Sequence, residues 1–251
     1  MLRALARAEE QNAKQGMQVK VSYFGVPGRG ESVRLMCALA GIEFTDDKFE
    51  PKAWAATRKG AARFRMTPTV EGLPGVASEA GQSRALVRFL GKMAVGEDGA
   101  TPLYPTDAVD ALRADELCDY VEDVWGKLLE ARAAKAVVAA LAPSTGGVAA
   151  MLDVLEHSLP AAGAGGVGGG GFAVGSATST ADVFLFAALG WWATPFFKGS
   201  TLDALLAGRP KLRAVAERVG ALPAVRAFYA GRDFKAPQHQ LWAVYGHLAK
   251  L

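Results

Sequence analysis

The spacing of apolar and polar residues changes abruptly near residue 25. Val19, Val21 and Tyr23 alternate with Lys20 and Ser22, the period of two expected of a β-strand. Gly25, Pro27, Gly28 and Gly30 then interrupt the chain with turn chemistry, and Val33, Met36 and Ala40 follow at helical spacing. Gly41 stands where a helix C-cap belongs. The stretch predicts a strand, a tight turn and a helix, with a tyrosine hydroxyl beside the helix N-terminus. Exposed backbone N–H groups and the positive end of the helix dipole favour an anion there, and a thiolate suits the position.

Farther along, Glu43 to Phe49 reads as a second strand, and a polar stretch with Trp54, Arg58 and Lys59 follows. Met66-Thr67-Pro68-Thr69-Val70 predicts a strand start, because proline lacks an N–H and belongs at a strand's first residue or edge. Glu71 to Gly75 is a turn, a further strand is expected after it, and Ser78 to Met93 carries the helical pattern Ala85, Leu86, Phe89, Leu90. This order predicts a small α/β unit with a mixed sheet over 18–95. A linker at 96–106, rich in glycine, proline and charge, leads to helical periodicity at 108–142, 148–159, 181–192, 201–206, 211–219 and 224–229. An all-helical unit over 107–235 is expected, with an extension at 1–17 before the first unit and another at 236–251 after the second. Ser179-Thr180-Ala181-Asp182 before Val183-Phe184-Leu185-Phe186 has the form of a helix capping box. The Gly/Ala run at 161–171 has no Lys-Ser/Thr after it and reads as a connector, not a phosphate cradle.

Composition narrows the possibilities. The 28 basic and 25 acidic residues are interspersed, for a net charge of +3, with no basic stripe carrying interleaved aromatics; nucleic acid is not an expected partner. No apolar run reaches the roughly 20 residues of a membrane span, so no membrane partner is expected. Cys37 and Cys118 lie far apart in helical surroundings, which suits a reducing compartment and a cytoplasmic location. Arg3 and Arg7 invite comparison with a transit peptide, but Glu9, Glu10 and the lack of serine point to a helical extension. His157, His239 and His247 show no ligand spacing, and no metal is expected.

Five motifs in order then resemble a cytosolic glutathione S-transferase, most like the sigma class. They are Tyr23-Phe24 with Gly28-Arg29-Gly30-Glu31, Trp54 with Arg58, Met66-Thr67-Pro68, Gln82-Ser83-Arg84-Ala85-Leu86, and the Ser179–Asp182 box, supported by Leu222-Pro223-Ala224-Val225. The resemblance runs from about Val19 to Phe234. It implies a thioredoxin-like first domain, an all-helical second domain, a homodimer, and glutathione as co-substrate.

Residue by residue, the resemblance assigns Tyr23 to the glutathione sulfur and Arg29 to the neighbourhood of its hydroxyl, where a cation would lower the tyrosine pKa. It assigns Thr67 and the cis-proline Pro68 to the cysteinyl backbone, and Gln82 and Ser83 to the γ-glutamyl group. Trp54 and Arg58 fall at the glycine end, and Asp123 at glutathione bound by a neighbouring subunit. Met66 stands where Gln or Lys is usual. The second-substrate pocket would draw on Gly25, Val26, Pro27, Tyr120, Val124 and the C-terminal extension, which could cover the pocket or pack on the core. The implied activity is glutathione S-transfer to a soft hydrophobic electrophile, with Tyr23 and Arg29 as the catalytic pair. Prostaglandin-type isomerisation is a possible subclass, and a ligandin- or crystallin-like binding protein on the same fold is the alternative. Cys37, mid-helix, is not the nucleophile of a cysteine-type relative.

Overall fold

The computed structural model describes residues 18–142, 147–160, 171–231 and 237–250. The extension at 1–17 and most of the Gly/Ala connector (161–170) lie outside them.

Strand β1 (Val19–Phe24) is followed by helix α1 (Gly28–Leu39), β2 (Phe44–Phe49), and a short helix α2 (Pro51–Ala53) that continues as a π-helical turn, Trp54–Arg58. Then come β3 (Thr69–Glu71), β4 (Ala80–Gly81) and α3 (Ser83–Gly91). The sheet order is β2-β1-β3-β4. Strand β1 pairs parallel with β2 and antiparallel with β3, and β4 closes the edge antiparallel to β3. The mixed sheet is the one expected. The period of two sends Val19 and Val21 into the core with Val33, Leu35 and Met36 of α1, all nearly inaccessible. Tyr23 projects on the same face, at the helix N-terminus.

The remaining helices are α4 (Ala108–Ala133), α5 (Val137–Leu141), α6 (Gly147–Ser158), α7 (Thr180–Trp192), α8 (Leu202–Leu206), α9 (Pro210–Ala221), α10 (Pro223–Ala230) and, after a 3₁₀ turn (Pro237–Trp242), α11 (Ala243–Leu248). The sequence predicts one helix over 108–142; the structure breaks it after Ala133. Ala136 N–H donates to Ala131 O and Lys135 N–H to Arg132 O, with Lys135 at φ 57°. This is a Schellman ending with lysine in the left-handed position that glycine usually fills, so no glycine announces it. Helix α7 is buried along its whole length and forms the centre of the helical half. On one side α3 is tied to α4 by Arg84 Nη1–Asp119 Oδ1 and Arg88 Nε–Asp115 Oδ1, each 2.5 Å.

Both halves of the expected capping box are formed at the start of α7. Asp182 accepts from Ser179 N–H (2.8 Å), Ser179 O–H (2.5 Å) and Ala173 N–H (2.6 Å). Full burial nonetheless pushes its carboxyl up to about 6, against the pull of those three donors. A carboxyl whose folded-state pKa is raised holds its proton more tightly in the folded than in the unfolded chain. Its contribution to stability therefore falls as pH rises through that window, by about 2 kcal/mol between roughly pH 4 and pH 6. Asp182→Asn keeps the shape without the titration, so its deficit relative to the wild type should narrow over that range. Thermal melts at the two pH values check this; a constant or widening gap contradicts it.

Candidate active site

The tight turn after β1 exists to seat the Tyr23 ring. A Cβ at Gly30 would lie 2.5 Å from Tyr23 Cδ1, and one at Gly28 would lie 2.6 Å from its hydroxyl. Gly28 also has φ +48°, which L side chains rarely adopt. With the ring pressed on glycine backbone, the hydroxyl accepts the Arg29 N–H at 3.1 Å, in the first turn of α1. Its own proton remains available to a second acceptor.

Tyr23 is buried, and burial raises its pKa. The Arg29 N–H and the charges of Arg29 and Arg34 pull it down but do not win, and Glu122 adds to the rise. Arg29 thus acts in the expected direction, but burial outweighs it and the net shift is upward. Arg29 directs its guanidinium at α4, where Nε and Nη2 donate to Glu122 Oε2 at 2.9 and 2.8 Å, and it stacks 4.6 Å over the Trp125 ring. The pairing carboxylate offsets the cation's effect on the tyrosine. The hydroxyl stays neutral near pH 7, which makes it a hydrogen-bond donor.

Around this centre the structure gathers most of the other expected residues. Thr67 Oγ1 donates to Ser22 O at 2.9 Å, tying its loop to the strand residue beside Tyr23, and the Thr67–Pro68 bond is cis as expected. Gln82 takes the N-cap position of α3 at φ 73°, an uncommon conformation for a residue other than glycine, and Nε2 donates to Met66 Sδ at 3.7 Å. Met66 is 54% exposed. Ser83 is the first residue of α3 and buried, at a helix N-terminus whose backbone N–H groups favour an anion. Trp54 stacks on Phe49 at 5.6 Å and meets Phe24 edge-on, while Phe24 meets Tyr23 at 5.2 Å, so one aromatic cluster runs from Trp54 to Tyr23.

Two expected residues stand differently. Arg58 is not a free cation: both its terminal nitrogens bond Asp47, whose carboxyl they hold below its usual range, and it lies over the Phe49 ring. Asp123 is exposed on α4, one residue past Glu122.

The second-substrate expectations need correcting. Val124 is fully buried in the core. Tyr120 points to the other side of α4, where its hydroxyl donates to Met151 O at 3.3 Å. There it lines a cavity of about 660 Å³ with Arg113, Leu117, Val154, Ser158 and Val174, none of them a site residue named above. The C-terminal extension packs on the core: Trp242, Tyr245 and Leu248 are inaccessible.

Comparison with known proteins gives this geometry its context. Residues 130–232 match the family described as glutathione S-transferase, C-terminal domain. Glutathione S-transferase 1 of Ascaris suum is 26% identical over 225 residues, 86% of this chain and 97% of its own length. Hematopoietic prostaglandin D synthase of Gallus gallus is 33% identical over 104 residues, 41% of this chain and 47% of its own. Among solved structures, prostaglandin synthase D of Nilaparvata lugens superposes with a TM-score of 0.67 at 21% identity, over 86% of this chain and 98% of that one. The chain is thus similar to glutathione S-transferases, by the family match over its helical half and at lower identity over most of its length.

Within this glutathione S-transferase fold, the sequence reasoning missed four side chains around Tyr23. Glu122 and Trp125 sit one helical turn apart on α4 and hold Arg29. The resemblance points to the adjacent Asp123; α-helical spacing sets neighbouring residues about 100° apart, so Glu122 faces Arg29 and Asp123 faces out. Glu31 and Arg34, both inaccessible on α1, form a buried ion pair behind the turn. Two opposite charges three apart on one helix were the available signal. Among the described residues there is no metal-ligating cluster, and no helix is long and apolar enough to cross a membrane.

Proposed function

We propose that the protein is a tyrosine-type glutathione S-transferase in which Tyr23 stabilises the glutathione thiolate. The observation that carries this is the Tyr23 hydroxyl, accepting the Arg29 N–H at 3.1 Å with its own proton free to donate. A thiol with pKa near 8.5 is only a few per cent ionised at pH 7. A neutral O–H, polarised by the N–H it accepts, favours S⁻ over SH. The sulfur lone pair then forms a bond to an electrophilic carbon. An aryl halide releases halide, and an enone takes up a proton from water.

In this reading Thr67 and Pro68 face the peptide backbone of glutathione, Gln82 and Ser83 its γ-glutamyl carboxylate, and Trp54 its glycine end. Arg58 contributes there less than the resemblance implies, because Asp47 neutralises it. Met66 offers an apolar contact. Asp123, exposed on α4, would reach glutathione in a neighbouring subunit, and the exposed Phe64, Met66, Val109 and Leu112 are apolar surface that a homodimer would cover. The sigma-class assignment, cytoplasmic location and role in detoxification belong to the same proposal. Similarity to prostaglandin D synthases supports isomerisation as a second use of the same thiolate.

The test is retention on immobilised glutathione together with turnover of a chromogenic aryl halide. The proposal expects both. Retention without turnover of any electrophile identifies a binding protein, and absence of both removes the glutathione reading.

A further inference from the structure

The C-terminal extension is fastened to the back of the turn that carries Tyr23 and Arg29. Glu31, with no accessible surface, accepts from Tyr229 O–H at 2.8 Å on Oε1. Its Oε2 accepts from Trp242 Nε1–H at 2.9 Å and from Arg34 Nη1 at 3.3 Å. Arg34, equally buried, spends its other donors on the turn and on β2. Nη1 reaches Val26 O (3.1 Å) and Pro27 O (3.3 Å), Nη2 reaches Phe24 O (3.3 Å), and Nε bonds Asp46 Oδ1 (2.9 Å). Those carbonyls belong to the residues that connect Tyr23 to Gly28 and Arg29. The Trp242 ring also lies 6.0 Å from the Arg34 guanidinium and 5.2 Å from Lys48 Nζ.

The carboxylate orients Arg34, Arg34 fixes three carbonyls of the turn, and the turn brings the Arg29 N–H to the Tyr23 hydroxyl. A fully buried carboxylate holds its position only while its hydrogen-bond donors are in place, since an unsatisfied buried charge is costly. One of those donors comes from a residue 211 positions away. The extension is seated independently of Glu31 as well: Tyr245 O–H donates to Ala187 O at 2.6 Å, and its ring lies where a side chain at Gly190 would be.

We propose that Trp242 is a positioning residue of the thiol site: through Glu31 and Arg34 it sets the geometry of the Phe24–Pro27 turn and hence of the Tyr23–Arg29 pair. The inference rests on the reading of Tyr23 as the thiolate donor and adds the C-terminal extension to that site as its support from behind.

Trp242→Phe keeps a buried aromatic ring and removes the N–H. It should raise the apparent pKa of enzyme-bound glutathione, read by thiolate absorbance, by about half a unit, and lower kcat/KM by about threefold to tenfold. Tyr245→Phe, in the same extension but bonded to α7, serves as the control. It should lower Tm while leaving the thiolate titration in place, a difference that a purely structural role for the extension would not produce. If Trp242→Phe does not fold, Tyr229→Phe removes the other neutral donor to Glu31 and is read the same way. A Trp242→Phe titration superimposable on the wild type, or an equal shift in Tyr245→Phe, overturns the inference. A wild type whose bound thiol titrates like free glutathione removes the Tyr23 reading first, and this inference falls with it; the two failures differ in which protein shows them.

Discussion

Tyr23→Phe should lower kcat/KM for glutathione transfer by about tenfold to a hundredfold without unfolding the protein. The ring fills the space between Gly28 and Gly30 whether or not it carries a hydroxyl, so packing changes little. What disappears is one hydrogen bond to a thiolate. Bonds to charged groups contribute about 1.5–3 kcal/mol, and each 1.36 kcal/mol is a factor of ten in rate. The loss should fall short of abolition, because the Arg29 N–H, now without the hydroxyl, can turn to the sulfur itself. The pH profile should carry the same signature. With the thiolate less favoured, the inflection of kcat/KM moves to higher pH, and the variant approaches the wild type only in alkali. Equal kcat/KM and an unmoved inflection would mean that Tyr23 has no part in ionising the thiol.

Arg34→Met should cost about 3–5 kcal/mol of stability, enough to threaten folding in a protein whose whole margin is on the order of 5–15 kcal/mol. Burial works against the arginine's charge, yet Glu31 and Asp46 outweigh it and raise its pKa, so it is firmly a cation. Methionine fills much of the volume and satisfies none of the partners. Glu31 would stay buried as an uncompensated charge, and the carbonyls of Phe24, Val26 and Pro27 would lose their donor. Breaking a buried pair from one side is costly for that reason, whereas replacing both partners is often tolerated. Adding Glu31→Gln to Arg34→Met should therefore recover part of the loss. Denaturant midpoints of the single and double variants measure both effects. A single-variant loss under about 1 kcal/mol would show that the pair carries little.

Much of this structure was readable along the chain, for definite reasons. The alternation of β1 and the helical spacing of α1 each have one face in the core, so burial imprints its period on the sequence. The glycines around Tyr23 were visible as turn chemistry, although that they seat the ring required coordinates. The break after Ala133 was invisible: alanine and lysine favour helix, and the Schellman ending uses Lys135 without a glycine. Local features were legible where motifs carry them, as in the cis bond at Thr67–Pro68 and the helix start at Gln82-Ser83. Pairings were not legible where a partner is remote. Nothing near Arg29 points to Glu122, 93 positions away, and nothing near Glu31 points to Trp242. Those pairings also decide the electrostatics. Arg29 looks like a cation that would acidify Tyr23 until Glu122 and burial enter the balance.

Direct titration of the thiol of bound glutathione, followed by thiolate absorbance in the wild-type protein, bears most closely on the Tyr23 hydroxyl as thiolate donor. One such charged hydrogen bond should bring the apparent pKa to about one to two units below the value near 8.5 of a free thiol. A bound thiol that ionises at the free value would contradict it.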